Sequence, residues 1–104
     1  GASFVARTTT YHVNQLSDII KAAIQHEGFS VVEIFTQCPT YFGRKNKIGS
    51  PVDMLKVFKD RTIPIGSPKK QEDPSLMERG IFLDEKRPEY CHEYDKIIAK
   101  AEKR

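Results

Sequence analysis

Apolar and polar residues along the first third of the chain follow a strand–helix–strand order. Residues 3–9 (SFVARTT) have apolar side chains at positions 4, 5 and 6 and predict a short strand. Apolar residues then recur at positions 16, 19, 20, 23 and 24, which is the stripe of an amphipathic helix, and Gly28 suits its C-terminal cap. Ser30–Phe35 (SVVEIF) is apolar at nearly every position, as in a parallel strand covered on both faces. This order predicts a βαβ unit with parallel strands.

The second half of the chain predicts a different mixture of elements. Ser50, Pro51 and Asp53 have the spacing of a helix start, and a short helix should run to about residue 59. Residues 62–65 read as extended or irregular, residues 66–75 as a polar loop, and residues 80–83 (GIFL) as a brief strand. A terminal helix begins near RPEY, and its apolar stripe comprises Tyr90, Tyr94, Ile97, Ile98 and Ala101.

This pattern contains only two clear strands, fewer than a stable sheet normally has. The second strand, apolar on both faces, therefore requires neighbours that the sequence is not expected to supply. The chain also begins with Gly1 and not with an initiator methionine. We interpret it as a fragment or a processed product that lacks its N-terminal part.

Length and charge narrow the classes of function. The chain has 104 residues, enough for one domain, and a net charge of +3 spread along its length, which does not favour nucleic-acid binding. No apolar run approaches the roughly 20 residues of a membrane span. Two cysteines without motif spacing favour a reducing compartment, so we expect a cytoplasmic protein.

Cys38 is the principal candidate for chemistry, because it follows the second predicted strand in the stretch FTQCPT. Ligands of open α/β sheets bind at the carboxyl edge of the strands. Three roles stay open from the residues alone: an inert thiol, a nucleophile, or a metal thiolate. A nucleophile needs a nearby base. An iron–sulfur cluster normally takes four cysteines and this chain has two, so most of the other ligands would lie outside this chain.

Other candidates are cationic. Arg7, placed at the end of the first strand, could clamp a carboxylate or be an ordinary surface residue. Arg44, Lys45 and Lys47 follow Gly43 and could meet phosphate or an acidic protein, or form a solvated turn. Cys91 reads as structural. The usual phosphate-loop, dinucleotide and zinc motifs are absent, so no catalytic or cofactor-binding residue is assigned.

Four stretches carry a family resemblance: GASFVAR, QHEGFSVVEIFTQCPT, FGRKN and GIFLDEKRPEYCHEYDKII. Together they resemble the C-terminal part of the β subunit of 2-oxoacid:ferredoxin oxidoreductases, in particular the 2-oxoglutarate enzymes of epsilonproteobacterial type. The resemblance covers nearly the whole chain. It implies an α/β fold in which residues 1–49 are the C-terminal βαβ part of a thiamine diphosphate-binding domain. Residues 50–104 would be a mostly helical extension with two helices and a flexible loop near 66–76.

The resemblance also implies a function. The intact enzyme would convert 2-oxoglutarate and coenzyme A to succinyl-CoA and pass electrons through a 4Fe-4S cluster to ferredoxin or flavodoxin. The choice of 2-oxoglutarate rests on the tail of the chain, and pyruvate or a branched 2-oxoacid is the alternative substrate. Its β subunit would bind thiamine diphosphate and Mg²⁺ and assemble with an α subunit and other subunits. Cys38 matches the late, fourth cluster ligand, whereas Arg7, Arg44, Lys45 and Lys47 would contact another subunit or an acidic electron acceptor.

The sequence departs from the family pattern in two ways. The Gly-Asp-Gly signature for thiamine diphosphate and the three early cluster cysteines do not occur in it. We therefore expect this chain alone to hold no cofactor, to be inactive and to self-associate through exposed apolar surface. Two other classes stay open: an independent small basic α/β interaction module, and a thiol enzyme that uses Cys38.

Overall fold

The structure, a computed structural model, describes all 104 residues and is organised around one four-stranded sheet. A short π-helical turn, Pro39–Gly43, follows the second strand. The strands are β1 (Phe4–Thr9), β2 (Ser30–Phe35), β3 (Thr62–Pro64) and β4 (Met77–Asp84). The helices are α1 (Val13–Gln25), α2 (Pro51–Arg61), α3 (Lys69–Glu72) and α4 (Tyr90–Glu102).

The predicted βαβ unit is confirmed. β1 and β2 pair in parallel, from Phe4 opposite Ser30 to Thr9 opposite Phe35, and α1 makes the crossover between them. Ile19 of α1 is buried with Phe4 and Ala6 of β1. α1 therefore packs one side of its predicted stripe on the sheet through Ile19 and Ala23, whereas Ile20 and Ile24 of that stripe are exposed. The helix ends at Gln25, so Gly28 lies beyond its C-terminal cap and not in it.

The expectation of only two good strands is wrong. The sheet order is β2-β1-β4-β3, with β4 antiparallel to β1 and β3 parallel to β4. β4 is eight residues long, and its first half carries Glu78, Arg79 and Gly80, which hide its strand character in the sequence. The second half of the chain is mostly helical, as predicted, yet it also supplies two strands to the same sheet. The loop predicted near 66–76 contains α3.

β2 was expected to need neighbours that this sequence does not supply, and within this chain it is not covered on both faces. β2 is an edge strand, and its Val31 and Ile34 are each about 40% exposed. Only 10 of the 104 residues are buried. The radius of gyration is 19.0 Å, whereas a compact domain of about 100 residues has about 13 Å. The chain by itself therefore leaves much of its apolar surface open.

A polar contact joins three elements at the amino end of β1. The Ser3 hydroxyl lies 2.8 Å from His26 Nε2, and His26 Nδ1 lies 3.4 Å from a carboxylate oxygen of Asp84. The ring of His26 also packs 5.4 Å from that of Phe4. The order Ser-His-Asp is that of a hydrolase triad, but Ser3 is buried and out of reach of a substrate. We interpret the contact as structural, because it ties the end of α1 and the end of β4 to the start of β1.

No helix of the chain combines the length and the apolar character that crossing a membrane requires.

Candidate functional site

The loop that carries Cys38 is anchored to the carboxyl ends of the two parallel strands. The Thr10 amide donates to the Phe35 carbonyl at 3.0 Å, and the Thr10 hydroxyl donates to the side-chain oxygen of Gln37 at 2.9 Å. The Gly43 amide then closes the π-helical turn on the Cys38 carbonyl at 2.9 Å. Cys38 therefore stands at the carboxyl edge of the sheet, which is the position that the sequence predicts.

The Cys38 thiol is exposed and free, and the start of the turn faces it with backbone dipoles. The amides of Phe42, Tyr41 and Thr40 lower the pKa of this thiol, with Phe42 having the largest effect. No side-chain hydrogen bond closes the cap, so these N–H groups act as nearby dipoles and not as close donors. Their N–H groups lie in the first turn, where amides lack helical partners, and they favour a thiolate over a thiol.

An apolar groove of about 420 Å³ opens beside Cys38. It lies between the π-helical turn and α2, whose start is fixed by reciprocal hydrogen bonds between Ser50 and Asp53. Gly43 allows the close approach of the turn, because a Cβ at Gly43 would lie 2.6 Å from the Met54 sulfur. The groove walls are Phe35, Thr36, Gln37, Cys38, Phe42, Ile48, Met54, Val57 and Phe58.

Arg7 lies within β1 and not at its end, and it does not line the groove. Its guanidinium carbon is 5.2 Å from the centre of the Phe82 ring and 5.9 Å from that of Phe35. Its Nε lies 3.5 Å from a carboxylate oxygen of Glu33, the residue opposite it on β2. This carboxylate already balances the charge of Arg7, which weakens the interpretation of Arg7 as a clamp for a free anion.

Arg44, Lys45 and Lys47 directly follow the π-helical turn and are exposed. None of the three takes part in a salt bridge. The Lys45 ammonium lies 5.9 Å from the centre of the Tyr41 ring. We call these residues the basic loop. It places three cations without acidic partners next to the groove of Cys38, and its role in contacting an anion or a partner stays a prediction.

No base and no further metal ligand accompanies Cys38. The histidines contact other groups: His12 pairs with Thr9, His26 with Ser3 and His92 with Glu27. No group of three or more His, Cys, Asp or Glu side chains could hold a metal ion. Cys91 is free on α4, and the Glu89 carboxylate raises the pKa of its thiol. The thiol-enzyme class therefore lacks its base, and a metal at Cys38 needs ligands from elsewhere.

Sequence reasoning missed a polar cluster on the α1 side of the sheet. Thr8 and Thr9 are fully buried, and the Thr8 hydroxyl donates to the Gln15 side-chain oxygen at 3.1 Å. Arg79 of β4 donates to the same oxygen at 3.1 Å. Burial, with the charge of Arg79, lowers the pKa of His12. The run of three threonines at 8–10 was a signal, but Arg79 is too distant in sequence to have been linked with it.

The chain is similar to known proteins that are all subunits of one kind of enzyme. Over 103 residues it is 42% identical to the 2-oxoglutarate synthase subunit KorB of Methanocaldococcus jannaschii, covering 96% of this chain and 38% of that subunit. Over 95 residues it is 46% identical to the same subunit of Methanothermobacter marburgensis, covering 88% and 33%. The chain thus spans about a third of the length of the curated relatives it matches. No protein-family model matches it.

A solved structure has the same fold. It is a chain of the 2-oxoglutarate:ferredoxin oxidoreductase from Magnetococcus marinus with 2-oxoglutarate, coenzyme A and succinyl-CoA bound. The TM-score is 0.73 at 24% sequence identity, over 97% of this chain and 36% of that one. The α/β fold expected from the sequence is therefore confirmed.

The two thiols should ionise in different pH ranges. We expect the alkylation rate of Cys38, measured in the Cys91→Ser chain, to rise at a lower pH than that of an ordinary thiol. The rate for Cys91, measured in the matched Cys38→Ser chain, should rise at a higher pH, because a carboxylate opposes its ionisation. Mass spectrometry after timed iodoacetamide treatment gives both profiles. Coincident or reversed midpoints would contradict the described environments.

Proposed function

The chain belongs to the β-subunit family of the 2-oxoacid:ferredoxin oxidoreductases, and we propose that it forms the C-terminal part of such a subunit in a 2-oxoglutarate enzyme. The whole enzyme would decarboxylate 2-oxoglutarate oxidatively, form succinyl-CoA from coenzyme A and deliver electrons to ferredoxin or flavodoxin. Support comes from identities of 42% and 46% to 2-oxoglutarate synthase subunits. In this proposal residues 1–49 complete the thiamine diphosphate-binding domain, and residues 50–104 form an extension that adds β3 and β4 to its sheet.

Cys38 is proposed as one ligand of a 4Fe-4S cluster, and its placement is the observation that carries the function. Its thiol is exposed at the carboxyl edge of the sheet, and backbone dipoles favour the thiolate that iron requires. The groove beside it is almost wholly apolar. Such a cluster supplies one-electron transfer when bound. The amides of the turn and the groove would tune its potential through the sulfur.

The remaining cofactor groups are proposed to lie on other parts of the subunit. Thiamine diphosphate and Mg²⁺ need a signature that this sequence does not contain, and three more cysteines are needed to complete the cluster. Cys91 is not proposed as a second cluster ligand, because it lies on α4, outside the groove, and the Glu89 carboxylate raises the pKa of its thiol. We therefore expect the chain by itself to have no turnover.

The basic loop is proposed to contact an acidic surface of the electron acceptor or of another subunit. Its three cations have no acidic partner within the chain and lie beside the proposed cluster position. An electron acceptor must approach closely for transfer, and opposite charges speed such encounters. Arg7 is a lesser candidate for a subunit contact, because Glu33 already balances it.

An independent interaction module is the alternative class, and the structure gives it little support. A module that folds alone should bury a core, yet the cluster of buried apolar residues here contains only Phe4, Ala6 and Ile19. The radius of gyration of 19.0 Å likewise exceeds that of a compact domain.

Removing the proposed iron ligand should remove the cluster. In the complete β subunit that contains this chain, Cys38→Ala should lose most of the bound iron, the visible absorbance and the electron paramagnetic resonance signal of the reduced cluster. Cys38→Ser should retain part of the iron, since an oxygen ligand can replace sulfur weakly. The matched control Cys91→Ala should leave all three readouts unchanged. An intact cluster in Cys38→Ala would contradict the assignment of Cys38 as an iron ligand.

Reversing charge in the basic loop should slow electron delivery. With Lys45→Glu and Lys47→Glu combined in the whole enzyme, we expect a fall of about tenfold in the second-order rate to an acidic ferredoxin at low ionic strength. The difference from wild type should shrink as salt is added. The matched control, Lys21→Glu with Lys59→Glu, makes the same charge change on α1 and α2. Equal effects of the two double variants would show that only net charge matters.

A further inference from the structure

The helix α4 presents an apolar stripe to solvent. Tyr90, Tyr94, Ile97 and Ile98 form this α4 stripe, with exposed fractions of 75%, 50%, 63% and 41%. They recur at the spacing of one helix face. No other helix or strand of the chain packs along α4. The stripe therefore lacks a partner within the chain, and an apolar face of this kind normally meets another surface.

The stripe is held on an ordered helix. The Glu89 side chain caps it by accepting from the His92 amide at 3.0 Å. The rings of Tyr90 and Tyr94 stack with their centres 5.9 Å apart and their planes 7° apart. At about 1.5 Å per residue, the 13-residue helix presents a surface some 20 Å long. Little rearrangement is needed before a partner can pack on it.

Charge along α4 is divided between its two ends. Residues 89–95 contain three carboxylates and no lysine or arginine, whereas residues 96–104 contain four cations and one carboxylate. Two copies of α4 placed antiparallel would set each acidic end against the basic end of the other copy. A parallel pair would set like charges together, which is unfavourable. The charges therefore select an antiparallel pair.

We propose that α4 pairs antiparallel with α4 of a second copy of this chain. Placing the two-fold axis between Tyr94 and Ile97 sets the Tyr94 of each copy opposite the Ile97 of the other, and Tyr90 opposite Ala101. Glu93 and Lys100 are seven residues apart and so lie on the same edge of the stripe. Each Glu93 then meets a Lys100 of the second copy, and the contact is closed and self-complementary.

The pairing should be reversible and sensitive to salt. Two helices of this length bury less than the roughly 1,600 Å² of a standard interface, so a weak, concentration-dependent dimer is expected. Exposed ion pairs at its edges are screened as ionic strength rises. Lys96 already contacts Glu93 within the helix, but an exposed pair at this spacing is weak and leaves the Glu93 carboxylate available. This proposal does not rest on the function proposed above.

Carboxylates near the N-terminus and cations near the C-terminus also stabilise a single helix through its dipole. The experiment must therefore distinguish pairing between two chains from this effect within one chain. Glu93→Lys and Lys100→Glu each create like-charge contacts in an antiparallel pair. Mixed together, the two variants restore opposite charges at both contacts. A helix dipole acts within one chain and gains nothing from mixing.

Sedimentation equilibrium of the chain over a broad micromolar range at low salt provides the measurement. Wild type should show a reversible monomer–dimer equilibrium. Each single variant should associate at least about tenfold more weakly, and their equimolar mixture should recover the wild-type constant. Circular dichroism checks that α4 stays helical in each variant. Asp18→Lys and Lys21→Glu on α1, alone and mixed, form the matched control pair and should leave association unchanged.

Three outcomes would overturn the proposal. One is a wild-type chain that stays monomeric throughout this range. Another is association that Glu93→Lys leaves unchanged, which would place the contact on another surface such as the β2 edge. The third is a mixture of the two variants that associates no better than either variant alone.

Discussion

The pairing of β1 with a strand on each side is the constraint on which the rest of the structure depends. β2 joins it in parallel and β4 antiparallel, so residues from both halves of the chain meet on one strand. The parallel pairing brings the ends of β1 and β2 to one edge, where Thr10 fixes the segment that leads to Cys38. At the opposite end, Ser3, His26 and Asp84 tie the start of β1 to the ends of α1 and β4. The position of the candidate sulfur is thus a consequence of strand register.

The local environment of Cys38 follows from a few residues after the strand. Pro39 begins a tight turn whose next amides face the thiol and favour its ionised form. Gly43 lets the turn approach Met54 of α2, which forms one wall of the apolar groove. Backbone dipoles beside the sulfur and apolar walls around it are the features by which proteins tune a metal thiolate. The basic loop then adds positive charge at the rim.

Periodicity predicted the elements whose partners are near in sequence. The stripe of α1, the β-branched run of β2 and the Ser50–Asp53 start of α2 each depend on local pattern, and all three were found. The length of β4 was underestimated because Glu78 and Arg79 interrupt its apolar run. Its pairing with β1 joins residues about 80 positions apart in the sequence, which no local pattern reveals. Arg7 was placed at a strand end, whereas its contacts with Glu33 and Phe82 depend on strand register that no local pattern reveals. The place of Cys38 could be predicted, but its amide environment could not, because π-helical turns have no sequence signature.

The exposed apolar surface fits a chain that spans about a third of its relatives' length. The β2 edge and the groove each lack a covering element within these residues. The central claim concerns one of them, namely that Cys38 binds iron beside the groove. An anomalous difference map at the iron absorption edge, from crystals of the complete enzyme, tests it most directly. The account predicts an iron peak within bonding distance of the Cys38 sulfur, whereas a cluster whose irons are all bound by other residues would contradict it.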